Sequence, residues 1–207
     1  MRPLAALLLL LAGTPPSLAA TGDWDFRVLL DGREIGRHRF TLEGAGETLV
    51  LRSEAQFDVR VLFISAFRYA HEAVERWRDG CLQSLSSRTE TNGERIAVSA
   101  SSQDGRLAVT GPAGIGLHDG CVMSFAYWDP RILEAERLLN SQTGELVPVR
   151  ITPQGRETVP VRGQPRPAER HRISGPGLAI DLWYADGRWV ALEAPAAGGR
   201  RLRYELQ

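Results

Sequence analysis

Hydrophobic and polar residues alternate with period two through most of the chain. In Trp24–Leu30 the residues Trp24, Phe26, Val28 and Leu30 share one face, with Asp25 and Arg27 opposite. A longer run places Leu49, Leu51, Ser53, Ala55, Phe57, Val59 and Val61 on one side and Arg52, Glu54, Gln56, Asp58 and Arg60 on the other. Near the end, Leu202, Tyr204 and Leu206 alternate with Arg201, Arg203 and Glu205. This is the signature of half-buried strands. One apolar and one wet face point to antiparallel sheet. A slip of one residue would bury the charges, so register is well specified.

The punctuation agrees. Asp-Gly stands at 31–32, 79–80, 104–105, 119–120 and 186–187, and Asn-Gly at 92–93. Both dipeptides accept the positive φ of tight hairpins. The expected strands are 23–30, 34–42, 47–61, 66–78, 81–91, 94–102, 105–110, 145–152, 155–162, 168–174, 177–185, 188–193 and 200–206. Short connections make this a meander whose sequence neighbours pair. The glycine-rich stretch 111–120 and Gly163–Pro167 read as loops. One segment departs from the pattern. Asp129-Pro130 resembles an N-cap followed by proline at the first helical position, and Arg131–Leu139 carries Ile132, Ala135 and Leu139 along one stripe, predicting a short helix. The fold class is all-β with one short helix: a large curved antiparallel meander sheet, half-barrel or open barrel, with the helix packed on its concave face.

The first 20 residues are read differently. Met1-Arg2, the apolar run Leu4–Ala12, the break at Gly13, Pro15 and Pro16, and Ser17-Leu18-Ala19-Ala20 form a secretory leader with cleavage after Ala19 or Ala20. Nine apolar residues are too few for a membrane span, which needs roughly 20. Residues 21–207 are expected to form a single antiparallel β domain exported to the bacterial periplasm. In that oxidising setting the two cysteines, Cys81 and Cys121, favour a disulfide over two buried thiols or a metal pair.

Charge and composition narrow the chemistry. The 207 residues hold 25 basic and 25 acidic groups, a formal net charge of zero, so the basic field of a nucleic-acid binder is missing. Every basic residue is Arg, which excludes Schiff-base enzymes and Walker-type phosphate loops, both of which need Lys. His38, His71, His118 and His171 show no metal-binding spacing, and no Gly-x-Ser-x-Gly elbow occurs. No catalytic residue, metal ligand or cofactor is therefore assigned. Of the carboxylate pairs Glu72/Glu75 and Glu134/Glu136, Glu72 reads as solvent-facing beside Arg68 and Arg76, and Glu134 and Glu136 as a solvated face. His71 lies on the face of Phe67, Tyr69, Ala73 and Trp77, as a core histidine or a general base in an apolar cavity. Tyr127, Trp128 and Trp183, with His71, are the candidate ligand-binding residues, because Trp and Tyr offer large apolar bodies with polar tips. Adjacent strand residues such as Trp183 and Tyr184 point to opposite faces and cannot both line one pocket.

The segments DFRVLLDGREIGRHRF, the Arg76–Gly80 turn, YWDPRIL, LLNSQTGELVPVRI and LAIDLWYADGRWVALE resemble an uncharacterised bacterial family of exported proteins, domain of unknown function 6134, over residues 23 to 206. The resemblance implies a periplasmic all-β domain and transfers no catalytic residue. At the level of fold alone the pattern is similar to periplasmic half-barrel carriers that hold acyl chains over a helix plug. Three functions follow as expectations: a non-enzymatic carrier for an apolar or lipid-like ligand; an envelope protein-interaction or scaffold module; and a hydrolase or isomerase with an unrecognised site, to which His71 and Asp129 would belong.

Overall fold

The computed structural model describes residues 19–61 and 64–207. The expected leader lies outside these residues, apart from Ala19 and Ala20. The strands are β1 (Ala19–Leu30), β2 (Arg33–Ala45), β3 (Thr48–Val61), β4 (Ile64–Arg78), β5 (Cys81–Thr91), β6 (Glu94–Gln103), β7 (Arg106–Gly111), β8 (Gly114–Asp119), β9 (Arg137–Leu139), β10 (Leu146–Pro148), β11 (Arg150–Val161), β12 (Gln164–Gly175), β13 (Leu178–Ala185), β14 (Arg188–Ala196) and β15 (Arg200–Leu206).

Among the described residues, thirteen of these strands form one antiparallel sheet in the order β11-β12-β13-β14-β15-β1-β2-β3-β4-β5-β6-β7-β8. It is two meanders joined where β1 pairs with β15, with Phe26 opposite Leu206 and Val28 opposite Tyr204. The sheet is not closed: β8 and β11 are its two edges. The chain between them, residues 120–149, crosses the inner face of the sheet.

Five of the six expected hairpins turn on two consecutive positive-φ residues, Asp31-Gly32, Asp79-Gly80, Asn92-Gly93, Asp104-Gly105 and Asp186-Gly187. These are type I′ pairs, whose twist matches that of the strands. A further pair, Arg162-Gly163 (φ 50° and 74°), was not legible as a turn, because Arg rarely takes this conformation. Its hairpin makes β12 begin at Gln164, where a loop was expected. β8 likewise replaces the expected glycine-rich loop over 114–119, pairing with β7 from Arg106↔Asp119 to Gly111↔Gly114.

The expected helix does not form. Pro130–Glu134 is a single 3-10 turn, capped by the Asp129 carboxylate accepting from the Arg131 amide, and Ala135 is already extended (φ −75°, ψ 138°). Arg137–Leu139 then pairs with Leu146–Pro148 as a small second sheet. Two physical reasons account for the difference. A nine-residue helix is marginal without tertiary support, and Leu138 and Leu139 are both fully buried, which a one-stripe helix would not have achieved. The crossing segment and the inner sheet face share one core that includes Phe26, Trp77, Trp128, Ile132, Leu138, Leu139 and Trp189.

Candidate functional site

The inner face is built in cross-strand rows. One row runs Trp24, Phe40, Ser53, Ala73, Ser87, Val98 across β1 to β6. Three small residues stand side by side in it, Ser53, Ala73 and Ser87, where other rows carry rings and leucines. The next row on one side is Leu42, Leu51, Glu75, Leu85, and on the other His38, Ala55, His71, Thr89. The crossing segment spans this trough, tied down by the Ser87 hydroxyl donating to the Ser141 carbonyl and the Tyr184 hydroxyl donating to the Tyr127 carbonyl (2.7 Å). The gap left over Ser53 and Ala73 is a cavity of about 210 Å³. Its walls include Phe40, Phe125, Tyr127 and Trp128, and its polar lining includes His38, Ser53, His71, Glu75 and Asn140.

Glu75 is buried at 5% exposure. Its Oε2 accepts from Trp77 Nε1 and from Ser124 Oγ, both at 3.1 Å. Its Oε1 has no hydrogen bond among the described residues. Burial pushes the carboxyl up to about 7, against the pull of the Ser124 and Trp77 hydrogen bonds. His71 Nδ1 lies 2.8 Å from Thr89 Oγ1, while Nε2 has no partner among the described residues. Burial holds the imidazole neutral, its pKa lowered to about 4. His38 is saturated, with Nε2 2.7 Å from Ser53 Oγ and Nδ1 3.2 Å from the Tyr204 hydroxyl. Burial, and then the nearby His71, bring it down to about 3. The cavity therefore offers aromatic walls, neutral imidazoles and one carboxyl. No described arginine lines it. No group of three or more potential metal ligands occurs among the described residues.

Of the four candidate binding residues, the structure brings His71, Tyr127 and Trp128 to this cavity and leaves Trp183 out. Trp183 faces the outside of the sheet, where Arg170 and Arg203 lie over its ring at 5.2 and 5.0 Å and Glu157 accepts from its Nε1 at 2.7 Å. Around it Asp181 takes hydrogen bonds from Arg170 and Arg172. Burial opposes ionisation of Asp181, but the two guanidinium groups hold it below the usual carboxylate range. Tyr184, one residue on, points inward, as alternation requires. Glu75 is not among the candidate binding residues, although its period-two phase with His71, Ala73 and Trp77 places it inside. Ser53 and Ala73 lie on inward faces of the sequence pattern, and their small size is the local sign of a void.

The bridge between Cys81 and Cys121 is present, with Cα atoms 5.0 Å apart. It fastens the start of the crossing segment to the β4–β5 hairpin, beside Leu82 N–H donating to the Val122 carbonyl (2.9 Å). Asp129, 4% exposed, grips the Arg131 guanidinium (2.6 Å), which packs over Gly80 in the same hairpin. No described helix is long and apolar enough to cross a membrane.

Comparison with curated proteins finds no match. Among solved structures the chain is similar to a beta-barrel-like protein of domain of unknown function DUF1849 from Brucella abortus, with a TM-score of 0.67 and 13% identity over 92% of this chain and 97% of that one. At that identity the likeness shows a shared fold and nothing of activity. The model of a family described as domain of unknown function DUF6134 matches residues 26–207, from the middle of β1 to the last residue, and so takes in both meanders and the crossing segment between them. The chain belongs to the DUF6134 family.

Proposed function

We propose that this protein is an exported, non-enzymatic binding protein of the bacterial periplasm, and that the cavity under the crossing segment holds its ligand. The observation that carries the reading is an aromatic-walled void over Ser53 and Ala73 in which Glu75 Oε1 and His71 Nε2 are free to meet a ligand. The leader-like first 20 residues and the disulfide support export. Volume narrows the ligand. A space of about 210 Å³ falls below the roughly 300–1,000 Å³ of pockets for drug-sized molecules. It suits a single ring or short chain with one polar end, or that much of a lipid, rather than two acyl chains.

The test uses 2-phenylethanol as a neutral probe of that size, followed by calorimetry and by two-dimensional NMR of the oxidised protein. Saturable binding is expected, with shifts at the Trp128 indole. Ala73→Leu, which fills the trough, is expected to abolish it while leaving the far-UV circular dichroism unchanged. Absence of saturable binding to the wild type, or equal binding by Ala73→Leu, overturns the reading.

One observation favours a second reading, an envelope interaction module. Edge strand β8 exposes Ile115 (82%) and Leu117 (57%), whereas the other edge, β11, carries Pro153 and Pro160 and a bulge between Pro153 and Gly155. Prolines and bulges deter strand addition, and β8 has neither between its two ends. In-cell photocrosslinking from position 115 that captures no protein removes this reading.

A further inference from the structure

We infer that the cavity selects a small organic cation, an ammonium group carried on an apolar or aromatic body, and rejects carboxylates and phosphates. The inference rests on the cavity being a binding site and concerns the charge of what enters it. Three observations converge. First, Glu75 presents a half-used carboxyl. Trp77 and Ser124 both donate to Oε2 and fix the group's orientation, so Oε1 is the atom left to an incoming donor. Second, this chain has 25 basic residues, all Arg, and none of those described lines the cavity. On the crossing segment, Arg131 is already paired with Asp129. An anion entering here would meet a carboxyl and no cation. Third, the walls include the aromatic side chains Phe40, Phe125, Tyr127 and Trp128, and aromatic rings attract cations to their faces.

The titratable groups that face Glu75 across the cavity are His71 on β4, His38 on β2 and Tyr127 on the crossing segment. None of them carries charge at neutral pH. Burial lowers both histidines and raises Tyr127 above its ordinary range. The electrostatics of the site therefore turn on Glu75. Binding is balanced as follows: the ligand enters as R–NH3+, the Glu75 carboxyl releases its proton to solvent, and the ammonium N–H donates to the carboxylate Oε1. Affinity should rise with pH as the carboxyl ionises, up to the point where the amine itself loses its proton.

An isosteric series tests this: 2-phenylethylamine, 2-phenylethanol and phenylacetate, titrated into the full oxidised protein at pH 5.5 and pH 8. The expected order at pH 8 is amine tighter than alcohol, with phenylacetate not binding. The amine should weaken roughly thirtyfold on going to pH 5.5, as follows from a carboxyl titrating near 7, while the alcohol changes little. Glu75→Gln keeps a side chain of the same shape. It should abolish the advantage of the amine over the alcohol and remove the pH dependence, with the far-UV circular dichroism reporting that the variant is folded. If Glu75→Gln does not fold, the wild-type pH profile decides alone. Equal binding of amine and alcohol, tighter binding of phenylacetate, or an amine affinity that does not rise with pH overturns the inference and leaves the cavity a binding site. Failure of all three compounds overturns both.

Discussion

His71 and His38 are kept neutral in the folded protein, at about 4 and about 3, against an ordinary value of 6.5. The folded state therefore takes up fewer protons than the unfolded chain below pH 6.5, and stability is lost as pH falls from there toward those values. Glu75 acts in the opposite sense. Its raised pKa means that the folded state holds a proton the unfolded chain has released, so its contribution is complete below pH 4.5 and is lost as pH rises to about 7. Between pH 4.5 and 6.5 two histidines oppose one carboxyl, and the histidines prevail. From these three groups, stability should be greatest near pH 7. His71→Gln should make the acid limb shallower, recovering about 3 kcal/mol of the loss at pH 4, as measured by urea unfolding at pH 4, 5 and 7. An unchanged acid limb would show that His71 titrates normally. The sequence placed His71 inside by alternation. It did not show the neutrality, which comes from the burial that the assembled fold imposes.

At the scale of elements, the crossing segment is where local signals and the final structure diverge. The Asp129-Pro130 start was legible and forms, since capping involves neighbours two residues apart. The continuation as a helix was not, because Leu138 and Leu139 gain more by burial and by pairing with Leu146 and Val147 than a few helical hydrogen bonds would return. The hairpins were legible for the same reason as the cap: a type I′ turn is decided by its own two residues. Arg162-Gly163 is the exception, held by the Arg162 amide donating to the Leu206 carbonyl and its guanidinium donating to the Gln207 carbonyl. The disulfide closes a separation of 40 residues between the β4–β5 hairpin and this segment. Replacing both cysteines by serine should cost about 2–4 kcal/mol in urea unfolding. Binding of 2-phenylethanol should weaken with it, because the segment that roofs the cavity loses its anchor. A double variant as stable as the wild type would show that the segment is held by its core contacts alone.

For the whole molecule, an unclosed sheet becomes a container because the chain between its two edges folds back across it. The close approaches are at glycines. A Cβ on Gly111 at the end of β7 would lie 2.8 Å from the Thr143 carbonyl oxygen, and one on Gly175 at the end of β12 would lie 2.6 Å from that of Pro148. Gly111→Val should push residues 140–143 away from β7. The outcome expected by NMR is displaced resonances for Asn140–Gln142 and loss of 2-phenylethanol binding, with the β-sheet circular dichroism retained. Retained binding would place the ligand elsewhere. By itself, the sequence determined the strands, most of their turns, the two-sided character of the sheet and the cysteine pair, because alternation and turn chemistry act between residues close along the chain. Only the tertiary structure decided that β1 meets β15, that residues 120–149 cross with a single 3-10 turn and a small hairpin instead of a helix, that Trp183 faces outward under two guanidinium groups, and that Ser53 and Ala73 lie beneath a void beside Glu75. Each of these depends on side-chain volumes and charges from strands far apart in sequence meeting in one place, and no local pattern records that sum.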